Sequence, residues 1–227
     1  ISCAQLEFPN RRITVNLAPA DLPKDGGRFD LPLALGILAA NGAFNAQALD
    51  DYEFIGELAL TGELRAIDGV LPAALAAKNA GRKMVVPFGN SAEAGLAQSD
   101  GIFTARTLME VVHHLRGERT LPKANMQMDY IETPMLDMAD VRGQHSARRA
   151  MEIAAAGGHH ILLIGSPGCG KTLLASRLPG ILPMASDEEA IDSAAIASVS
   201  GRGLDLTRFR QRPFRSPHHT SSAVALV

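Results

Sequence analysis

The residues most able to do chemistry are contiguous: Gly165-Ser166-Pro167-Gly168-Cys169-Gly170-Lys171-Thr172. They satisfy the spacing Gly-x-x-x-x-Gly-Lys-[Ser/Thr], in which glycines let successive backbone N–H groups turn inward around an anion. A helix opening at Lys171 would add about half a positive charge at its N-terminus. Lys171 would reach the outer phosphates of a nucleotide, and the Thr172 hydroxyl would hold magnesium. ATP with Mg2+ is the ligand these eight residues imply.

Such a loop works only between a strand and a helix. The run Ile161-Leu162-Leu163-Ile164 leads directly into it, so a buried strand is expected over His160 to Ile164 and a helix from Lys171 to about Leu178. Before these, Gln144 to Ala156 has the period of an amphipathic helix.

Other constellations carry less. The histidine pairs His113-His114, His159-His160 and His218-His219 are adjacent in sequence. Neighbours on a strand or helix diverge, so no pair chelates well, and no Cys/His spacing marks a zinc site. The stretch 202–219 has five arginines and two histidines against the single acid Asp205, while 187–192 has four acids. These are either mutually compensating solvated faces or a segment that meets nucleic-acid phosphate. Aromatic residues are 4% of the chain, which gives little support to base stacking.

The chain has 227 residues, 46% of them apolar and 20% charged, with a formal net charge of -2. This is the composition of a cored protein with no overall attraction for nucleic acid or an anionic membrane. No apolar run approaches the ~18 residues of a membrane span. The two cysteines are Cys3 and Cys169, and a disulfide would tie down a loop that has to wrap phosphate. A reduced, cytoplasmic setting is expected. The chain begins at Ile1 and closes on the apolar run Ala223 to Val227, so both ends read as cuts through a longer protein.

Upstream of the loop the pattern is mixed α and β. A half-buried strand is expected over Arg12 to Leu17, where Ile13, Val15 and Leu17 share one face. Phe29 to Ala40 is apolar nearly all round, as a buried helix is, with Pro32 in its first turn. Phe54 to Leu60 reads as a strand ending at Thr61-Gly62-Glu63. Val70 to Ala80 reads as a helix stopped by Gly81, Lys83 to Pro87 as a short buried strand, and Thr107 to Leu115 as a helix. From Gly117 to Asp140 the period is lost. A linker is expected there, docking locally through Met135, Leu136 and Met138.

Four runs resemble a known family. Val141 to His160, leading into the glycine-rich loop, and Arg212-Pro213-Phe214-Arg215-Ser216-Pro217-His218-His219-Thr220 are similar to the magnesium-chelatase-type AAA+ ATPases. Asn10 to Pro23 and Arg28 to Leu38 resemble the bacterial YifB/ComM proteins. The resemblance implies a Lon-protease-like (S5 domain 2-like) α+β domain over 1–116, a linker over 117–140, and the start of a P-loop AAA+ domain over 141–227. Its best-known member is a hexameric helicase that promotes branch migration in natural transformation. A homo-hexameric, cytoplasmic, ATP-driven motor acting on DNA is implied, or else a chelatase-like ATPase that remodels a protein partner. Gly143 and Gln144 fall on the family's Gly-Gln step and are implied contacts near the adenine.

The resemblance does not carry protease chemistry. Aligning Asp25-Gly26 on the Lon serine motif puts Arg28 where the serine belongs, and aligning Asp68-Gly69 on the later glycine pair puts Ala73 where the lysine belongs. An inert domain is expected. No catalytic residue is assigned for ATP hydrolysis either. The acids after Thr172 are Asp187, Glu188, Glu189, Asp192 and Asp205, and none follows a buried apolar run as a Walker B acid would. Walker B and the arginine finger are expected outside the chain, which should bind ATP with little turnover.

Overall fold

The computed structural model describes residues 1, 6–17, 26–126, 135–200, 203–217 and 220. Expectations that rest on Cys3, Asp25, His218, His219 and the run 223–227 lie outside the described residues. The chain divides into two compact units, one of residues 1–129 with 191–206, the other of 130–190 with 207–227.

The first unit is built on a parallel sheet in the order β1 (Tyr52–Phe54), β4 (Lys83–Pro87), β5 (Ile102–Ala105). Phe54 pairs with Val85, and Val85 in turn with Phe103. Val85 is buried with α1 (Asp30–Ala40) and α4 (Leu108–Leu115) through Leu31, Leu35, Leu38, Leu108 and Val112. Met84 and Val86 point to the opposite face and are equally buried, where α2 (Val70–Asn79) and α3 (Ser91–Gly95) pack. A strand covered on both faces reads as an unbroken apolar run, which is why Lys83 to Pro87 was legible as sequence.

The expected helices over 29–40, 70–80 and 107–115 form, and Thr107 caps α4 by accepting the Glu110 N–H at 3.2 Å. Elsewhere the structure differs. The expected strand 54–60 is two elements: β1 ends at Phe54, and Glu57–Leu58 (β2) turns back onto Leu64–Arg65 (β3) as an antiparallel pair. The expected strand 12–17 has no ladder among the described residues, and Ile13, Val15 and Leu17 stay partly exposed. Instead they border a shallow apolar groove against Phe29, Leu33 and Ile37, the second apolar stripe of α1. Alternation supplies a face for a strand but not the neighbour that a ladder requires.

The expected linker is partly structured. Residues 120–124 run beside β5, with Thr104 N–H donating to Pro122 O at 2.8 Å and Ala124 N–H to Ile102 O at 2.9 Å, and Leu121 is buried in the core. Met138 is also buried, in the second unit, whereas Met135 and Leu136 are exposed.

The turn into residue 121 hangs on His114. Its Nδ1 accepts the Leu121 N–H at 3.2 Å and its Nε2 lies 2.9 Å from Tyr52 Oη. Both contacts are satisfied by the neutral ring with the proton on Nε2. Burial holds the His114 pKa below 6.5, opposed by a backbone contact at Arg119 and reinforced by the Lys83 ammonium. The folded state thus binds the proton less readily than the unfolded chain. Stability from this residue is complete above the unfolded value of 6.5 and is lost as pH falls from there towards the depressed folded value. Urea unfolding at stepped pH should show this limb, and His114→Phe should flatten it.

The second unit has its own core: Met138, Val141, Met151 and Leu174, with Ile161, Leu163, Leu178 and Ile181 against it. Helix α5 (His145–Gly157) forms as the amphipathic pattern predicts. The single helix expected over 171–178 is split into α6 (Lys171–Ala175) and α7 (Leu178–Ile181). Pro179 accounts for the break, because its ring would meet the carbonyl of Ala175 in a continuous helix. Helix α8 (Asp187–Val199), whose residues from 191 on belong to the first unit, was not expected. Its N-terminus is a capping box, with Glu189 N–H donating to Ser186 Oγ at 3.2 Å and Ser186 N–H to Glu189 Oε2 at 3.0 Å.

Candidate nucleotide-binding site

The segment 160–164 is extended but pairs in no ladder among the described residues, so the expected buried strand is corrected. Ile161 and Leu163 face the core, while Leu162 and Ile164 are 81% and 87% exposed. Alternation with one packed face is what an extended segment gives without neighbours on its other side.

The loop that follows is exposed from Gly165 to Cys169. Gly168 (φ 80°) and Gly170 (φ 89°) occupy the left-handed region, where a Cβ is strained. At Gly165 a Cβ would meet Cys169 Sγ at 2.8 Å, so that thiol would have to turn aside. Gly170 is the N-cap of α6, and Lys171 and Thr172 are its first two residues.

Lys171 folds back across this loop. Its Nζ donates to Gly165 O at 2.8 Å and Ser166 O at 2.7 Å, and lies 3.5 Å from Cys169 Sγ. No carboxylate among the described residues pairs with it, so the ammonium faces carbonyl dipoles and solvent. Such a charge, beside exposed loop amides and a helix start, suits a polyanion. Thr172 is exposed at the same end. These residues fit a nucleotide triphosphate with magnesium on the hydroxyl.

The structure also brings Gln144 to the loop, its Nε2 donating to Cys169 O at 2.8 Å. Gly143, at φ 71°, precedes it. The family resemblance implies contacts near the adenine for this pair; the bond seen here is from Gln144 to the loop backbone.

The two charged stretches meet each other. Arg212 Nη2 lies 2.8 Å from Glu189 Oε2, and Arg210 pairs with Asp187. Arg212 Nε also donates to Pro183 O at 2.8 Å. For these arginines the compensating-face reading holds. No cluster of three or more metal-ligating side chains occurs among the described residues. In the first unit, the Arg28 guanidinium donates to Asp68 O at 3.0 Å, and Ala73 lies in α2, so neither position offers a nucleophile or base.

Comparison with known proteins agrees over both parts of the chain. Residues 137–227 match the family described as magnesium chelatase, subunit ChlI, and residues 1–90 match subunit ChlI of Mg-chelatase. These matches define a chain of the magnesium-chelatase class. It is 48% identical over 229 residues to competence protein ComM of Haemophilus influenzae, and 51% identical over 221 residues to the protein YifB of Salmonella typhimurium. Those alignments take in 99% and 97% of this chain, but 45% and 44% of the relatives' own lengths. The chain belongs to the YifB/ComM family of magnesium-chelatase-like proteins. A shorter match, 36% identical over 84 residues, is to Lon protease of Leptospira interrogans, covering 37% of this chain and 10% of that protease. Among the described residues no helix is long and apolar enough to cross a membrane.

Proposed function

We propose that this chain holds ATP and magnesium at Gly165–Thr172, and that in the whole protein it is part of a hexameric, cytoplasmic AAA+ motor that translocates DNA or migrates branches. The observation that carries the nucleotide half is the Lys171 ammonium, seated on the carbonyls of Gly165 and Ser166 with no acid paired to it among the described residues. Lys171 would hold the outer phosphates in place of those carbonyls, the loop amides would take phosphate oxygens, and the Thr172 hydroxyl would hold magnesium. Gly143 and Gln144 are proposed to lie near the adenine, as the family resemblance implies, with Gln144 bonded to the loop backbone.

The DNA half rests on similarity to the competence protein. A second reading, an ATPase that remodels a protein partner without DNA, is favoured by the ion pairs at Arg210 and Arg212, which occupy charges that phosphate contacts would need. Binding of forked DNA by the whole protein, titrated against salt, separates the two. A steep loss of affinity with salt supports DNA, and its absence supports the protein partner.

The first unit is proposed to be a Lon-like domain without proteolysis. A guanidinium stays protonated and has no lone pair to attack a carbonyl, so Arg28 cannot act as the serine. Casein incubated with the chain and ATP should stay intact. ATP-dependent cleavage that disappears on mutating this unit would overturn the assignment.

A further inference from the structure

Gln144 is the N-cap residue of α5, yet its side chain does not cap that helix. N-cap side chains ordinarily accept a hydrogen bond from their own helix's first amides. Here the backbone carbonyl of Gln144 starts the helix by accepting the Arg148 N–H at 2.9 Å, and the side-chain amide goes to Cys169 O, 25 residues away. The backbone is left-handed (φ 54°, ψ 34°), a region that non-glycine residues seldom adopt. The fit is tight on the other side as well, since a Cβ on Gly170 would come within 3.3 Å of Gln144 Nε2.

We infer that Gln144 is a positioning residue for the phosphate loop, holding the Cys169–Gly170 peptide in its anion-receiving orientation before the nucleotide arrives. The inference rests on the reading of this loop as a nucleotide site. In a planar trans peptide the carbonyl and the following N–H point in opposite directions. Anchoring Cys169 O on Gln144 therefore turns the Gly170 N–H away from Gln144. Without that anchor this peptide can flip by rotation at Cys169 ψ and Gly170 φ, and glycine accepts either φ at little cost. A flipped peptide would present a carbonyl oxygen to the phosphate. Gln144 thus favours the anion by fixing a backbone dipole.

Two variants of the 227-residue chain test this. Gln144→Gly removes the amide and suits the left-handed backbone, so folding is not impaired. Gln144→Glu keeps the shape but has no hydrogen to donate. Each is measured by titration with a fluorescent ATP analogue, by urea unfolding, and by the rate at which Cys169 is alkylated without nucleotide, read by peptide mass spectrometry. Both variants should bind about 3- to 10-fold more weakly, the loss of one hydrogen bond. Alkylation of Cys169 should be faster in both, while the unfolding midpoint of Gln144→Gly is unchanged or raised. Wild-type affinity together with wild-type alkylation rates would overturn the inference. If the wild-type chain itself fails to bind, the nucleotide reading falls, and the alkylation rates still decide whether Gln144 orders the loop.

Discussion

Lys171→Ala should abolish tight ATP binding while leaving the chain folded. The lysine supplies the mobile positive charge at the loop, and a charge-assisted hydrogen bond of this kind is worth about 1.5–3 kcal/mol. At roughly 1.4 kcal/mol per tenfold, affinity falls by about 10- to 150-fold from this contact alone. The structure adds a second loss. Lys171 ties Gly165 O and Ser166 O together across the loop, so its removal also loosens the backbone that must present the amides. Folding should not suffer, because these bonds lie at the surface and the second core is made by Met138, Val141, Met151 and Leu174. Titration of wild type and variant with a fluorescent ATP analogue, with circular dichroism as the folding control, decides it. Equal affinities would show that nucleotide does not bind at this loop.

Legibility in the sequence followed locality. The turn from Gly165 into the helix at Lys171 could be read because its residues are consecutive and its glycines have one stereochemical purpose. Helix α2 could be read because Gly81 (φ 68°) stops it, and β4 because both its faces are buried. Four-residue β5 and five-residue α3 were missed, since neither is long enough to show a period. Helix α8 carried a local signal too, since Ser186 and Glu189 stand at capping-box spacing. The contact of Gln144 with Cys169 was not legible at all, because no local pattern specifies a bond between positions 25 apart. The strand expected over 12–17 shows the opposite error. Its alternation is real, but its apolar side borders the spare stripe of α1 instead of joining a ladder.

The 227-residue chain should bind ATP yet turn it over very slowly. Hydrolysis at a P-loop needs more than phosphate contacts: an acid to hold magnesium and polarise the attacking water, and an arginine to stabilise charge in the transition state. After Thr172 the acids are Asp187, Glu188, Glu189, Asp192 and Asp205. The first three open α8 rather than closing a strand. Two of them are also occupied, Asp187 with Arg210 and Glu189 with both Arg212 and the Ser186 backbone. Those hydrogen bonds hold the Glu189 pKa below 4.5, the Ser186 backbone contributing most and Arg212 next, as befits a carboxylate that is structural at neutral pH. Asp192 lies further along the same helix, and Asp205 already has a partner. On the proposed reading of the loop, the residues that would hold the ground state are described, and none of these acids stands where it would favour the transition state, a combination that gives affinity without rate. Phosphate release from purified chain with saturating ATP and magnesium should stay far below ~1 per second, the low end of ordinary enzymes. Turnover at that rate, abolished by neutralising one of these five acids, would identify the catalytic carboxylate within the chain and overturn the assignment. Fast turnover by the whole protein, set against a slow 227-residue chain, would place the catalytic acid and arginine in the remaining part of the family's length.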